Sequence, residues 1–353
     1  MTHYILYPGA VEACLAWMRG PDRRTFEAPA RHIDRIGREA LTYRLEYPIR
    51  YYSKQRIFEI SWERLYMSTQ KQTITLLISC PDQPGIVAAV SNFIFEHHGN
   101  ILASDQHSTN QEDCAFFMRV NFDEEGFNLP ATELARAFRP IAERFHMQWS
   151  LSYSRQRKRV GIFVSKLDHC LTDLLWRWKG GELAMDIPCI ISNHQQLEPL
   201  ARMYDIPYYH FPISRESREA DQQRIFHFME GKVDFLILAR YMQILEPFLV
   251  NAYPHQIINI HHSFLPAFIG ANPYQRAFER GVKLIGATAH YVTDSLDEGP
   301  IIAQDVIHCN HRDTVEDLIR KGRDVERRVL AEAVRMHTED RVLVYENKTI
   351  VFE

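Results

Sequence analysis

Residues 256–270 read QIINIHHSFLPAFIG and hold the side chains best suited to acid–base chemistry. The apolar run delivers Asn259 and His261 two positions apart, and side chains two apart on a strand share a face. Ser263, Phe264, Leu265 and Pro266 then break the strand. Further along, ATAHYVTDSLDEG places Asp294, Asp297 and Glu298 in a loop that follows another strand. An amide, an imidazole and a carboxylate make a working set. The amide donates a hydrogen bond to a developing oxyanion. The imidazole moves a proton near neutral pH. The carboxylate fixes the imidazole's tautomer and favours its charged form. Ser263 and Cys309 lack the surroundings of an activated nucleophile, so no covalent intermediate is expected. A zinc site built from His261, His262 and His290 is disfavoured, because adjacent histidines on a strand point to opposite faces, and no metal is expected. By spacing alone, Asn259 and His261 read equally well as satisfied polar residues at a strand end.

These residues need a scaffold. Residues 160–165, 187–192, 208–211 and 234–239 read as strands, and 169–178, 197–204 and 218–230 as the helices between them. Runs such as FLILA and CIIS are almost wholly apolar, as strands covered on both faces must be. Alternating strand and helix predicts a doubly wound, mostly parallel sheet, which binds ligands at the carboxyl ends of its strands. Residues 313–337 read as a long helix, and 341–345 with 349–352 as a closing hairpin.

A second pattern lies upstream. Residues 73–79 read as a strand, CPDQPG as a turn, 86–98 as a helix, 101–107 and 114–122 as strands, 131–145 as a helix and 147–153 as a strand. That order, βαββαβ, is the ferredoxin-like plan. The basic run Arg155, Gln156, Arg157, Lys158 and Arg159 reads as a solvated linker between the two patterns.

With 353 residues, 46% of them hydrophobic and 24% charged, the chain fits two or three globular domains and excludes wholesale disorder. A net charge of −4 argues against a nucleic-acid partner. The six cysteines are scattered singly, which fits a reducing compartment. No apolar run approaches bilayer length, so no membrane association is expected and the protein reads as cytoplasmic. Residues 1–66 carry 10 Arg and 1 Lys against 8 acidic residues, whereas the remaining 287 balance at −7. Periodicity also begins only after Met67. Met67 is therefore the expected natural start, the rival being a genuine N-terminal extension over 1–66.

INIHHSFLPAFIGA together with HYVTDSLDEGPII resembles the folate-dependent formyltransferase superfamily, whose motif is Asn-x-His, Ser-x-Leu-Pro and a later Asp-x-Gly. SCPDQPGIVAAVSNFIFEHHGNILASDQHS resembles an ACT domain, a small regulatory module that often binds amino acids. The two joined are similar to the 10-formyltetrahydrofolate deformylase family, from about residue 73 to the C-terminus. The resemblance implies an α/β protein: an N-terminal ferredoxin-like ACT domain over 67–154, then a formyltransferase-fold catalytic domain over 158–353. It implies hydrolysis of a linear amide C–N bond, giving formate and tetrahydrofolate. That reaction supplies formate and balances one-carbon folate pools for purine synthesis. Asn259 would bond the formyl oxygen, His261 would act as acid or base, and Asp297 would support His261 or order the water. Met242, Gln243, Ile244 and Leu245 would hold the pterin, with Ser263, Asn272 and Thr293 completing the substrate site. The family usually carries lysine where this chain has Asn272, which loses a charge for the folate tail. No cofactor is implied, folate being the substrate.

Transferases of the superfamily cradle an acceptor phosphate in a Gly-rich loop after the first strand. Here that loop is SKLDHC, with no glycine and with Asp168 to repel phosphate, which favours water as acceptor. Asp168 reads equally well as a helix N-cap, with Lys166 in solvent. The alternatives are a formyltransferase using an amine and a catalytically silent folate or amino-acid sensor. In the ACT segment, Asp82, Gln83, Gly85 and Ile86, completed by Asn100 and Ile101, form the candidate site for an amino-acid effector. A homo-oligomer is expected, because ACT modules pair across subunits.

Overall fold

The computed structural model of the protein describes residues 71–353 except 110–113, 215 and 267–271, together with three short strands upstream. Contacts divide the chain into two units, Met1–Gln72 and Thr73–Glu353. In the first, β1 (Ile5–Leu6) pairs parallel with β2 (Ile49–Ser53), and β2 pairs antiparallel with β3 (Arg56–Ile60). Met67, the expected start, lies outside the described residues.

The second unit opens with β4 (Thr73–Pro81), α1 (Ile86–Glu96), β5 (Ile101–Ser108), β6 (Ala115–Asp123), α2 (Ala131–Arg144) and β7 (Gln148–Tyr153). The sheet order is β5-β6-β4-β7, all antiparallel, as the ferredoxin-like plan requires. The apolar stripe of α1, Ile86, Val90, Phe93 and Ile94, packs on Leu76 and Ile78 of β4 and on Met118 and Val120 of β6. β4 is apolar on its opposite face as well, where Leu77 is buried with Phe117 of β6.

The larger domain runs β8 (Lys158–Val164), α3 (His169–Lys179), β9 (Met185–Ser192), α4 (Glu198–Met203), β10 (Tyr208–His210), α5 (Arg218–Met229), β11 (Phe235–Ala239), α6 (Pro247–Ala252), β12 (Ile257–His261), α7 (Pro273–Arg280), β13 (Leu284–Tyr291), β14 (Ile301–His308) and α8 (Val315–Thr338). A C-terminal hairpin, β15 (Val342–Tyr345) and β16 (Lys348–Val351), closes it. The seven-stranded sheet has the order β10-β9-β8-β11-β12-β13-β14. The first five are parallel, while β13 and β14 add antiparallel at the edge. Alternate residues of the strands face two cores. Ile162, Ile237 and Ile258 pack with α3 and α8, while Phe163, Leu236 and Ile257 pack with α5 and α6. The sheet is thus covered on both sides, which accounts for its unbroken apolar strands.

Of the basic run at 155–159, Arg155 and Gln156 form an exposed connection after β7, as a solvated linker would, and the rest does not. Lys158 and Arg159 begin β8, and the cations meet carboxylates. Arg155 pairs with Glu124 at 2.9 Å, Lys158 with Asp340 at 2.6 Å and Arg159 with Asp234 at 2.7 Å. Strand pairing carried these side chains to acidic partners that are distant in the chain.

Candidate active site

β8 and β11 are neighbours in the sheet, although two strands lie between them in the chain. Strand order therefore reverses between them, and the loops leaving their carboxyl ends diverge around a crevice. Ser165, directly after β8, links the loops: its Oγ accepts from the Met242 N–H at 3.0 Å and donates to Asn193 Oδ1 at 2.8 Å. The crevice is a cavity of about 930 Å³, lined by the loops after β8, β11 and β13, by the end of β12 and by α8.

β12 brings Asn259 and His261 to this cavity on one face, while Ile258 and Ile260 enter the core behind. Register places Asn259 opposite His290 of β13. Asn259 Nδ2 and His290 Nε2 lie 3.2 Å apart, and His290 Nδ1–H donates to the Tyr291 carbonyl at 3.0 Å. Those contacts hold the amide and the imidazole side by side at the cavity. The loop after β13 then returns Asp297 to the strand. Its Oδ2 lies 3.2 Å from His261 Nδ1 and its Oδ1 3.6 Å from His290 Nε2. Burial pushes the Asp297 carboxyl up, but its contacts with His261 and His290 outweigh burial and hold it well below the usual carboxylate range. His261 is buried, and with Nδ1 facing the carboxylate its Nε2 makes no hydrogen bond within the protein. The structure therefore assembles an amide, an imidazole with a free nitrogen and an ionised carboxylate.

Of the other expected substrate residues, Met242, Gln243, Ile244, Leu245, Asn272 and Thr293 line the cavity. Met242 and Ile244 are 59% and 54% exposed, so they form an open apolar platform rather than core, whereas Leu245 is buried beneath. Asn272 precedes α7 with φ 51, and the Thr293 hydroxyl donates to the Ser295 carbonyl at 3.2 Å. Ser263 is not brought to the cavity. It is 4% exposed, its hydroxyl makes no hydrogen bond, and its carbonyl accepts from Thr288. β12 ends at His261, and the chain bends before it reaches Ser263.

A polar cluster at the inner wall escaped the sequence reading. Glu326 of α8, 1% exposed, accepts from the Tyr274 hydroxyl at 2.6 Å and contacts His169 Nε2 at 2.8 Å and Arg240 Nε at 3.3 Å. Gly322 is what lets Tyr274 in, since a Cβ there would lie 2.0 Å from its hydroxyl. His262 adjoins this cluster, and burial followed by the Arg240 charge lowers its pKa to about 4. His169, Cys170 and Glu326 offer three metal-ligand atoms within 4.8 Å of one another, the one such group among the described residues. The guanidinium beside the same carboxylate, and burial that raises the Cys170 thiol well above its usual range, make it a poor cation site. Lys166 is in solvent, and Asp168 takes the N-cap position of α3 without a side-chain capping bond. The signal for the cluster was present in the sequence. Glu326 interrupts the buried stripe Gly322, Val325, Val329 and Leu330 of α8.

The candidate effector residues sit at the N-terminus of α1 and the start of β5. Gly85 has φ 96 and needs glycine. The Asp82 N–H donates to the Cys114 carbonyl at 2.8 Å. Ile86 is 2% exposed, so its side chain is core and only its backbone can face a ligand. Asn100 is exposed, Ile101 is 36% exposed, and β5 is an edge strand. Among the described residues no hydrogen bond joins the Asp82–Ile86 turn to Asn100 or Ile101. No helix among them is long and apolar enough to cross a membrane.

Comparison with known proteins adds independent findings. The family model described as formyl transferase matches residues 158–334, and that described as ACT domain matches residues 74–143. The chain is 54% identical to a formyltetrahydrofolate deformylase of Bacillus subtilis (strain 168), over 78% of this chain and 93% of that protein. It is 52% identical to the enzyme of the same name from Synechocystis sp., over 80% and 99%. The crystal structure of a formyltetrahydrofolate deformylase from Pseudomonas syringae pv. tomato aligns with a TM-score of 0.79 at 50% identity, covering 82% of this chain and 97% of that one.

Proposed function

From the premise that the chain belongs to the formyltetrahydrofolate deformylase family, we propose that it hydrolyses 10-formyltetrahydrofolate to formate and tetrahydrofolate at the cavity around Asn259, His261 and Asp297. The observation that carries the reading is the 3.2 Å contact of Asp297 with His261 Nδ1, beside an amide oriented by His290. The second hydrogen of Asn259 Nδ2 bonds the formyl oxygen and stabilises it as it becomes an oxyanion. His261 Nε2 takes a proton from water as the water oxygen attacks the formyl carbon. Asp297 holds Nδ1–H and stabilises the imidazolium that forms. Collapse breaks the C–N10 bond as His261 returns the proton to N10, and the formic acid formed loses its remaining proton to solvent and leaves as formate. The pterin rests on Met242 and Ile244, with Gln243, Leu245, Thr293 and Asn272 around it. No cofactor takes part.

Water, rather than an amine, is the acceptor. The loop after β8 has no glycine to cradle an anionic acceptor, and the Glu326 carboxylate beside it is engaged by Tyr274, His169 and Arg240. Neither an amine-dependent transferase nor a silent sensor is favoured. Formate released in this way serves one-carbon metabolism and purine synthesis. The ACT domain takes a small-molecule effector, an amino acid, through the Asp82–Ile86 turn and Asn100–Ile101. The subunits associate through ACT domains, and the free thiols at Cys80, Cys114, Cys170, Cys189 and Cys309 support a cytoplasmic setting.

The test is an incubation with 10-formyltetrahydrofolate and no amine. Stoichiometric formate and tetrahydrofolate are expected, with the rate lost in His261→Ala. Formate that appears only after an amine is added overturns the hydrolase reading.

A further inference from the structure

We propose that the C-terminal hairpin is a positioning element for the Asp297 loop, anchored on the ACT sheet, with Asn347 as its contact residue. The inference rests on Asp297 being the catalytic carboxylate. Asp297 has φ 58, in the left-handed region that non-glycine residues enter uncommonly, aspartate more readily than most. Two residues on, Gly299 lies so close to β13 that a Cβ would sit 1.8 Å from the Tyr291 carbonyl oxygen. Between the two, the Glu298 carbonyl accepts from Asn347 Nδ2 at 2.9 Å. Just beyond, the Ile301 carbonyl accepts from the Thr349 hydroxyl at 2.6 Å. Asn347 lies in the turn between β15 and β16, and Thr349 lies in β16. The hairpin thus grips the backbone of the segment that presents Asp297 to His261.

The hairpin is itself fixed from behind. Tyr345, Ile350 and Phe352 pack on Leu77 and Phe117 of the ACT sheet, on the face opposite its helices. The Phe117 and Tyr345 rings meet edge-on at 5.1 Å. Arg119, beside them on β6, donates to the carbonyls of Glu339 and Asp340 where α8 turns into β15. A continuous series of packed and hydrogen-bonded groups therefore joins β6 to Asp297, with the hairpin as its middle member. The hairpin is apolar on two sides: Val342 and Val344 pack on the core of the larger domain, while Leu343, Tyr345, Ile350 and Phe352 pack on the ACT sheet, and its turn meets the Asp297 loop.

The experiment compares Asn347→Ala and Asn347→Gln with wild type, using Asp297→Asn as a control on the site. Asn347→Ala is expected to lower kcat about fivefold, the equivalent of one net hydrogen bond, with KM unchanged and thermal midpoint within error of wild type. Asn347→Gln, which keeps a donor, is expected to recover most of the rate. A general structural role would lower the midpoint without this kcat-specific loss. The inference is overturned if kcat of Asn347→Ala equals wild type while Asp297→Asn is impaired, or if the loss falls on KM alone. If Asp297→Asn is itself fully active, the catalytic reading fails, whatever Asn347 does.

Discussion

Asp297→Asn keeps the shape of the side chain and removes its charge, so its effect can be worked out from the geometry. Oδ2 lies 3.2 Å from His261 Nδ1, and the side chain is 14% exposed. At that distance two unit charges attract by about 5 kcal/mol at an effective dielectric of about 20. The attraction exists only to the extent that His261 has gained the proton of water. If the proton is about half transferred in the transition state, about 2.5 kcal/mol is expressed there, or roughly a hundredfold in kcat. That is the loss expected if the asparagine turns its carbonyl to Nδ1–H. If it turns its amide instead, it selects the wrong imidazole tautomer and the loss extends toward about 10⁴-fold. KM should hardly move, because the platform of Met242 and Ile244 is untouched. The assay follows formate release without an acceptor, coupled to an NAD-dependent formate dehydrogenase, over a range of substrate concentrations. A kcat within about threefold of wild type, or an effect confined to KM, would refute the role assigned to the carboxylate.

Three further outcomes are expected from the same geometry. Gly299→Ala drives a Cβ into the Tyr291 carbonyl and must displace the Asp297 loop, so kcat is expected to fall about a hundredfold, as for a 1 Å misplacement; steady-state rates near wild type would show that the loop tolerates the shift. Glu326→Ala strands Arg240 and His169 in a buried wall and is expected to cost about 3–5 kcal/mol of stability, Glu326→Gln less, read as midpoints of urea unfolding. The depressed pKa of Asp297 contributes stability that is present above its unfolded value of about 3.9 and is lost as pH falls through its lower folded value. The thermal midpoint of wild type should therefore drop more steeply below about pH 4 than that of Asp297→Asn, and parallel curves would contradict the assignment.

Much of the site was legible from residues alone. Asn259 and His261 stand two apart on an apolar strand, so a shared face followed from strand geometry once the strand was recognised. Asp297 and Gly299 fell in a loop after a strand, and the glycine proves necessary because that loop presses on β13. Met242, Gln243, Ile244 and Leu245 were read as one segment, and the loop after β11 brings all four to the cavity. That Met242 and Ile244 are open while Leu245 is core depends on how the loop after β11 turns, with Arg240 at φ 62. Ser263 was misplaced because a motif gives sequence distance and not direction. His290 entered only as a discarded metal ligand. Its pairing with Asn259 needed the antiparallel register of β12 and β13, which no local pattern reveals.

What the sequence determined by itself was the order of elements and the inventory of chemistry. Hydrophobic periodicity and turn residues act over a few positions, and the amide, imidazole and carboxylate are set by residue type. What only the tertiary structure decided was which of these groups meet. The carboxylate reaches His261 across 36 residues, the Glu326 cluster draws on α3, α7, α8 and the loop after β11, and the hairpin joins the ACT sheet to the Asp297 loop. Each of these contacts depends on strand register, on the side of the sheet a helix covers, or on a left-handed backbone residue. Those are settled by packing over the whole domain, because the cost of burying an unpaired polar group is weighed against every other contact at once.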